Sequence, residues 1–550
     1  DFDGVTRDAS FSDVGADEFS GTVSDLTAPI IVYTPFANTS SLSDRTLIVN
    51  VSDQAGVPTT APGWPNLYWK KGVNGAYTAV QPTSVTGSDY TFNFGSGVIP
   101  TDTVYYYVVA QDGAGLPNVR AFPTIGAGGY TINPPAAGIP PTSPYSYEVT
   151  SSSLSGDYTV GTALFNQVTG RNITFEKSGD KWLPMENGQR YYGELYVKKI
   201  EHPEFNYPDG INGIYLTLSA AVADLNLRGV SSYVNFLLTD SSYTTASGET
   251  FPLIINVTNE FKPNMDNIVT IKPDFGVTSL IQGAVDNSFI FKILSDYVNI
   301  NGSNSYGTDR SLTIENTSTT FPMVVSFVSS GTTPITGSSL RNCNVINGSN
   351  AATTSTPAVI LSDVNVNPAG FSFPSGYFTN ISIQNNSIQK SWIGIQAAGV
   401  ASTGNGNGLW IDGNSLNDTT VNSIGNIGIQ IYGVDGAYIA NNNVGNIVTP
   451  VSGGSLPTGI AIASQTINTT VTNNTIGPMN FTTTSSGPVG ISISTGNANS
   501  NLIISSNTIS GIKINQPVVL NGITISGQTG NVLITKNKIY DIKNTDTLSA

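Results

Sequence analysis

Charge is scarce in this sequence. Charged residues make up only 11% of its 550 positions, where about a quarter is usual. The shortage is worse for cations: 22 Lys and Arg stand against 37 Asp and Glu, for a net charge of −15. No basic stripe is present to neutralise phosphates, so nucleic acid is excluded as a partner. Cysteine occurs once, at Cys343, which rules out an intrachain disulfide. Histidine also occurs once, at His202, so neither a histidine-based metal centre nor a Ser-His-Asp triad is expected. No metal, cofactor or catalytic residue is assigned from the sequence. Apolar runs never approach the length of a membrane span. Neither an initiator Met nor a signal-peptide pattern is seen, which reads as a mature product or an internal fragment.

What is plentiful is glycine, at 57 residues, together with 39% apolar residues. That apolar content is enough for real cores, so the low charge does not mean disorder. Frequent Asn-Gly and Ser-Gly steps between β-branched runs predict an all-β chain, and the length predicts roughly two to four domains.

Residues 25–132 read as a small sandwich. "APIIVYTPF", "RTLIVNVSDQAG", "NLYWKKG", "DYTFNFGSG" and "DTVYYYVVAQDGAG" are short β-rich runs with turn signals between them. The segment resembles an immunoglobulin-like or fibronectin type III-like module without its disulfide. "NPPAAGIPPTSP", residues 133–144, predicts a stiff Pro-rich linker. Residues 145–215 read as a β-rich subdomain. Glu186, Glu194, Glu201 and Glu204 there offer a carboxylate pair of the kind glycoside chemistry needs, or simply charge on solvated loops. One helix is expected, in "LSAAVADLNLRG", with Ser219 as N-cap, Ala221, Val222 and Leu225 as apolar face and Gly229 at its C-terminal end. A single helix before a long β region suits a cap over the first edge of a sheet stack.

The second half repeats itself. "LRNCNV", "IQNNSI", "IDGNSL", "IANNNV", "VTNNTI", "ISSNTI" and "ITKNKI" share apolar-x-x-Asn-x-apolar, with Cys343 in the first unit and Asn386, Asn414, Asn442, Asn474, Asn507 and Asn537 in the others. These Asn positions are 28, 28, 32, 33 and 30 residues apart. A second phrase interleaves at the same period: "GIQA", "GIQI", "GIAI", "GISI" and "GITI". Such a period, with strand-like alternation and no helix in the unit, predicts one coil of a parallel β-helix per repeat. Equivalent residues then stack ~4.8 Å apart. The Asn column is expected to take the left-handed bend between strands and to bond its amides from coil to coil. Cys343 fits as a small buried filler at the head of that column.

"AVADLNLRGV", "VNFLLTDSSYTTASGETFPLIIN", "VTIKPDFG", "YVNINGSNSYGTDRSLTIENTS" and "LRNCNV" occur in this order between residues 220 and 345. As an ordered set they resemble the start of the right-handed, pectate-lyase-like β-helix of large secreted surface proteins of Bacteroidota. The resemblance spans residues 216–550. It implies export through the type IX secretion system, contact with that machinery on the way out, and a cell-surface or extracellular address. It also implies a C-terminal sorting domain, which is not in this chain. Three Asp-Thr sites, at Thr103, Thr419 and Thr547, resemble the O-glycosylation motif of the same bacteria.

The opening "DFDGVTRDASFSDVGADEF" makes a poor calcium loop, since Val5 takes a ligand position and no Glu closes it. Residues 1–24 instead resemble the closing turn of a preceding β-helix. At the other end no capping helix follows "KNKIYDIKNTDTLSA", so the solenoid is expected to continue past residue 550 or to pair end to end with another subunit.

Two classes of function stay open. Between residues 379 and 535 the only charged residues are Lys390, Asp412, Asp418, Asp435 and Lys513, and the repeat partners of Asp412 are Gln384 and Ala440. No acidic column forms there, which favours a non-enzymatic surface protein, an adhesin or rigid stalk. If Ile411 and Ile439 point inward, Trp410 and Tyr438 point outward on adjacent coils. They are then either a sugar-stacking platform or an ordinary stabilising pair. Trp392 is expected to be a further outward ring. The alternative is a polysaccharide lyase or glycoside hydrolase with carboxylates in 145–340 or outside the chain. A cleft holding two carboxylates, or carboxylate beside Lys or Arg, would favour it.

Overall fold

The structure is a computed structural model, and it describes residues 25–99, 101–123, 140–150, 153–161, 164–166, 171–178, 181–186, 189–190, 214–305, 307–370, 372–448, 456–481 and 487–546. Residues 1–24, Glu194, Glu201, Glu204, Thr547 and most of the Pro-rich stretch lie outside them. The chain divides into two compact units, with the boundary between 152 and 153.

In the first unit two antiparallel sheets face one another. One orders Ile30–Val32, Arg45–Ser52, Asp89–Phe94 and Ser84–Thr86; the other orders Thr78–Val80, Asn66–Lys71, Thr103–Gln111 and Val119–Phe122. Alternation places Leu47, Val49 and Val51 of the first sheet against Leu67, Tyr106 and Val108 of the second. Strand Thr103–Gln111 is covered on both faces, as its unbroken apolar run requires. Its third partner is Tyr145–Glu148, paired through Thr103↔Glu148 to Tyr106↔Tyr145. Those residues were expected in the 145–215 subdomain. The pairing places them in the sandwich, because the edge of Thr103–Gln111 offers free backbone groups that a strand across the Pro-rich stretch can reach.

The second unit is a parallel β-helix. Its first sheet runs through Val230–Leu238, Val269–Pro273, Val298–Asn301, Ser339–Arg341, Ser382–Gln384, Trp410–Asp412, Tyr438–Ala440, Thr470–Thr472, Leu502–Ser505 and Val532–Thr535, every pair parallel. The second contains Cys343–Ile346 and the strands that follow each repeated Asn; the third contains the Gly-Ile phrases. One continuous apolar core fills the space between them. Strand Leu154–Val160 pairs in parallel with Val230–Leu238, so the solenoid starts earlier than residue 216. An antiparallel meander, Leu164–Asn166, Arg171–Ser178, Lys181–Glu186 and Gln189–Arg190, follows that first rung.

Helix Leu218–Arg228 buries Leu218, Ala221, Val222 and Leu225, and Gly229 closes it with a φ of 67°. Its N-cap is Thr217, whose hydroxyl accepts from the Ala220 amide at 3.1 Å, and not Ser219. Ser219 lies inside the helix, where its amide is met by Glu249. The Glu249 carboxylate accepts from the Leu218 and Ser219 amides at 2.7 and 2.8 Å, satisfying donors that every helix start leaves open. Burial pushes the Glu249 carboxyl up, against the two amides that hold its ionised form. Glu249→Ala is expected to lower stability by about 1–3 kcal/mol, read as a lower midpoint in denaturant unfolding. An unchanged midpoint would remove Glu249 from the capping role.

At the corner between the first two sheets the Asn side chains form a bonded column. Asn414 Nδ2 donates to Ile383 O in the preceding coil at 2.8 Å and to Asn442 Oδ1 in the next at 3.0 Å, and the Asn414 amide donates to the same oxygen at 3.0 Å. Asn386, Asn442, Asn474 and Asn507 repeat the arrangement, and Asn537 Nδ2 ends it on Ile504 O. Cys343 stands at the head, its amide donating to Asn386 Oδ1 at 3.0 Å. The left-handed bend is one residue earlier than expected. It falls on Asn342, Asn385, Gly413, Asn441, Asn473, Ser506 and Lys536, all with φ between 51° and 66°. The column residue aims its amide along the axis, which leaves its predecessor to turn the chain.

Glycine completes the corner opposite. A Cβ on Gly428 would lie 2.3 Å from Val444 Cγ1, one on Gly459 2.5 Å from Ile476 Cγ2, and one on Gly490 2.6 Å from Ile509 Cγ2. The apolar residue two places after each column Asn thus presses on the backbone of the third sheet. The two repeated phrases are two halves of one packing contact.

Candidate functional site

Ile411 and Ile439 are wholly buried, and strand alternation turns Trp410 and Tyr438 outward. The two are register partners on adjacent coils. Trp410 remains 46% exposed, Tyr438 is half-buried, and their ring centroids stand 5.2 Å apart at an interplanar angle of 42°. With that tilt the rings do not form one flat plate. Ser382 and Thr470 continue the outward column on either side. The neighbouring outward column holds Arg341, Gln384 and Asp412. Asp412 Oδ1 accepts from Asn441 Nδ2 at 2.7 Å, and Arg341 donates to Ser339 Oγ at 3.2 Å. An apolar ring face beside planar hydrogen-bonding groups is the chemistry a sugar requires: its C–H face stacks and its rim hydroxyls bond.

Trp392 does not join this surface. It is only 5% exposed, in the turn before Ile393–Ala398, and its ring occupies the space beside Gly425, where a Cβ would come within 2.7 Å of its Cε3. Alternation holds within a strand and lapses in the turn before it. Cys343 is buried, its thiol held against Arg341 O at 3.1 Å, and burial pushes its pKa up, away from the reactive thiolate. Thr103 opens a strand and is half-buried, whereas Thr419 is exposed on the loop after Ser415–Leu416.

Carboxylates occur at two further places. One oxygen each of Asp25, Asp53 and Asp112 lie within 4.8 Å of one another. Each serves its own loop: Asp25 accepts from Thr27, Asp53 from the Ala55 amide and Asp112 from Asn118. A calcium-loop spacing does not mark this trio, whose members are far apart in sequence. The other place is a cavity of about 340 Å³ on the β-helix, lined in part by Lys262 and Asp296. Burial pushes the Asp296 carboxyl up, while the Thr336 amide and Lys262 favour its ionised form. Among the described residues no second carboxylate lines this cavity.

No family model and no curated protein sequence matches the chain. Among solved structures, the alginate lyase from Paenibacillus sp. str. FPU-7 is 9% identical with a TM-score of 0.30, over 58% of this chain and 96% of that one. The Streptococcus pneumoniae surface protein and adhesin PfbA is 11% identical with a TM-score of 0.29, over 59% and 93%. The A-module of the Azotobacter vinelandii mannuronan C-5 epimerase AlgE6 is 9% identical with a TM-score of 0.26, over 59% and 95%. Likenesses at this level carry nothing about function, and the β-helix rests on the strand pairing itself.

Proposed function

We propose that this chain belongs to a non-enzymatic extracellular surface protein that binds glycans, an adhesin or rigid stalk. The observation that carries the reading is the register-paired Trp410 and Tyr438, open to solvent on one face of a stiff solenoid. Surface glycans, or surface proteins bearing them, are the partners this face suits. The ordered run of motifs between residues 220 and 345 supports a Bacteroidota source, type IX export and a cell-surface address. Among the described residues no helix is long and apolar enough to cross a membrane. Thr419, exposed on its loop, is the better placed of the two described O-glycosylation candidates.

Trp410→Ala is expected to weaken binding to a glycan array by about tenfold, the worth of one lost stacking contact. Unchanged binding, with the fold intact by circular dichroism, would end the proposal for this pair.

One observation favours the enzymatic alternative: the cavity brings a carboxylate, Asp296, and a lysine, Lys262, to one place. A hydrolase needs two carboxylates and the cavity offers one; a lyase needs a base that a lysine can supply. Release of reducing ends or of unsaturated uronates from polysaccharide, lost in Lys262→Ala, would establish this reading over the first.

A further inference from the structure

The coils that carry the ring pair hold carboxylates and no cations. Between Lys390 and Lys513 every charged residue is an aspartate: Asp412, Asp418 and Asp435. Two of the three flank the rings. Asp412 follows Trp410 by two residues on strand Trp410–Asp412, so alternation turns both side chains out on one face of the first sheet. Its Oδ1 accepts from Asn441 Nδ2 at 2.7 Å, and among the described residues nothing bonds its Oδ2. Asp435 lies on the other side of the pair, in the turn that enters strand Tyr438–Ala440. Its oxygens accept from Gly404 N at 2.8 Å and from Asn468 Nδ2 at 2.6 Å, and neither donor is a cation. Asp418 stands apart, on the loop that leaves the second sheet.

Cations on the first sheet all lie toward its N-terminal rungs. In the outward column of Asp412, Arg341 is two rungs away and Lys272 four, about 10 and 19 Å at one strand spacing per rung. The nearer of these is already about one Debye length from Asp412. Arg310 reaches the rung next to Asp412, where its guanidinium is occupied by Asn385 O and Oδ1 at 2.8 and 3.0 Å. Toward the C-terminal rungs the two outward columns continue through Thr470 and Ile503 and through Ala440, Thr472 and Ser505, without a charge. A protonated amine placed at the rings gains twice. The ring faces attract a cation, Trp most of all, and the free Asp412 oxygen accepts a charge-assisted hydrogen bond. A uronate or sulfate there would meet Asp412 and Asp435 with no cation on either coil.

We propose that the ligand of this face is a glycan bearing protonated amines, a hexosamine polysaccharide without its N-acetyl groups, and that Asp412 determines the preference. A sugar unit stacks on Trp410 and Tyr438 while its amine donates to Asp412 Oδ2. This inference rests on the glycan reading of the aromatic pair.

The test measures binding of a glucosamine tetrasaccharide and of its fully N-acetylated counterpart to the full chain, at mildly acidic pH where the amines are protonated. The two probes share their stacking faces and differ in charge. Wild type should bind the free-amine probe about tenfold more tightly. Asp412→Asn keeps an acceptor for Asn441 and removes only the charge. It should narrow the preference to about threefold and leave binding of the acetylated probe as in wild type. Asp418→Asn removes the same charge away from the rings and should change neither affinity. Equal wild-type affinity for the two probes, with Trp410→Ala impaired, overturns the amine class and leaves the glycan reading standing. A preference that persists undiminished in Asp412→Asn, or falls as far in Asp418→Asn, overturns the role of Asp412 and assigns the attraction to net charge. Unchanged binding of both probes by Trp410→Ala overturns the aromatic reading and this inference together. A wild type that binds neither probe overturns the amine class, and one that also binds nothing on a glycan array overturns both proposals.

Discussion

Replacing Asn442 by leucine is expected to cost about 3–5 kcal/mol, the largest loss of any single polar substitution in the solenoid. The estimate follows from what the side chain satisfies. Asn442 Oδ1 accepts from both the amide and the Nδ2 of Asn414, and Asn442 Nδ2 donates to Ile411 O and to Asn474 Oδ1. Leucine keeps the volume and removes all four bonds, leaving buried donors and a buried carbonyl with no water to turn to. Asn537 is the internal control. It is half-buried and ends the described column, so Asn537→Leu should cost clearly less. Because a solenoid loses cooperativity along its length, the measurement pairs the unfolding midpoint with hydrogen exchange at the amides of Asn414 and Ser415. Equal losses at the two positions would mean that the column is ornamental and that the apolar core alone holds the corner.

Gly459→Val should be nearly as damaging. Even a single Cβ there would sit 2.5 Å from Ile476 Cγ2 and 2.6 Å from Gly490 O. The second conflict is with backbone, which rotamer changes do not relieve, so the strand must shift against both neighbouring coils. A loss of about 1–3 kcal/mol is expected for Gly459→Ala and more for valine. Ile476→Ala in the same chain opens room for the new methyl group. The double variant should therefore be less destabilised than the sum of the singles. Strict additivity in that cycle would show that the glycine is kept for some reason other than the Ile476 contact.

Much of this organisation is legible in the sequence because a solenoid writes the same environment once per turn. The buried corner recurs, so its Asn recurs; the close approach recurs, so its glycine recurs. Strand parity likewise places Trp410 and Tyr438 outward once Ile411 and Ile439 are placed inward. Parity fails where the strand ends, so Trp392, one residue before its strand, turns inward instead of outward. The shift of the left-handed bend to the residue before each column Asn has a similar origin. Sequence marks the polar residue at a corner but not which of two neighbours carries the turn.

The periodic signal therefore determined the architecture, its corner chemistry and the alternation that exposes two rings. Tertiary structure alone decided what unlike segments do when stacked. Glu249 reaches back to the helix amides, Tyr145–Glu148 joins the sandwich across the Pro-rich stretch, and three dissimilar turns enclose the cavity holding Lys262 and Asp296. The physical reason is the same in each case. A repeated contact leaves a period in the chain, whereas a contact made once between distant segments leaves none, and only the folded backbone brings its partners together.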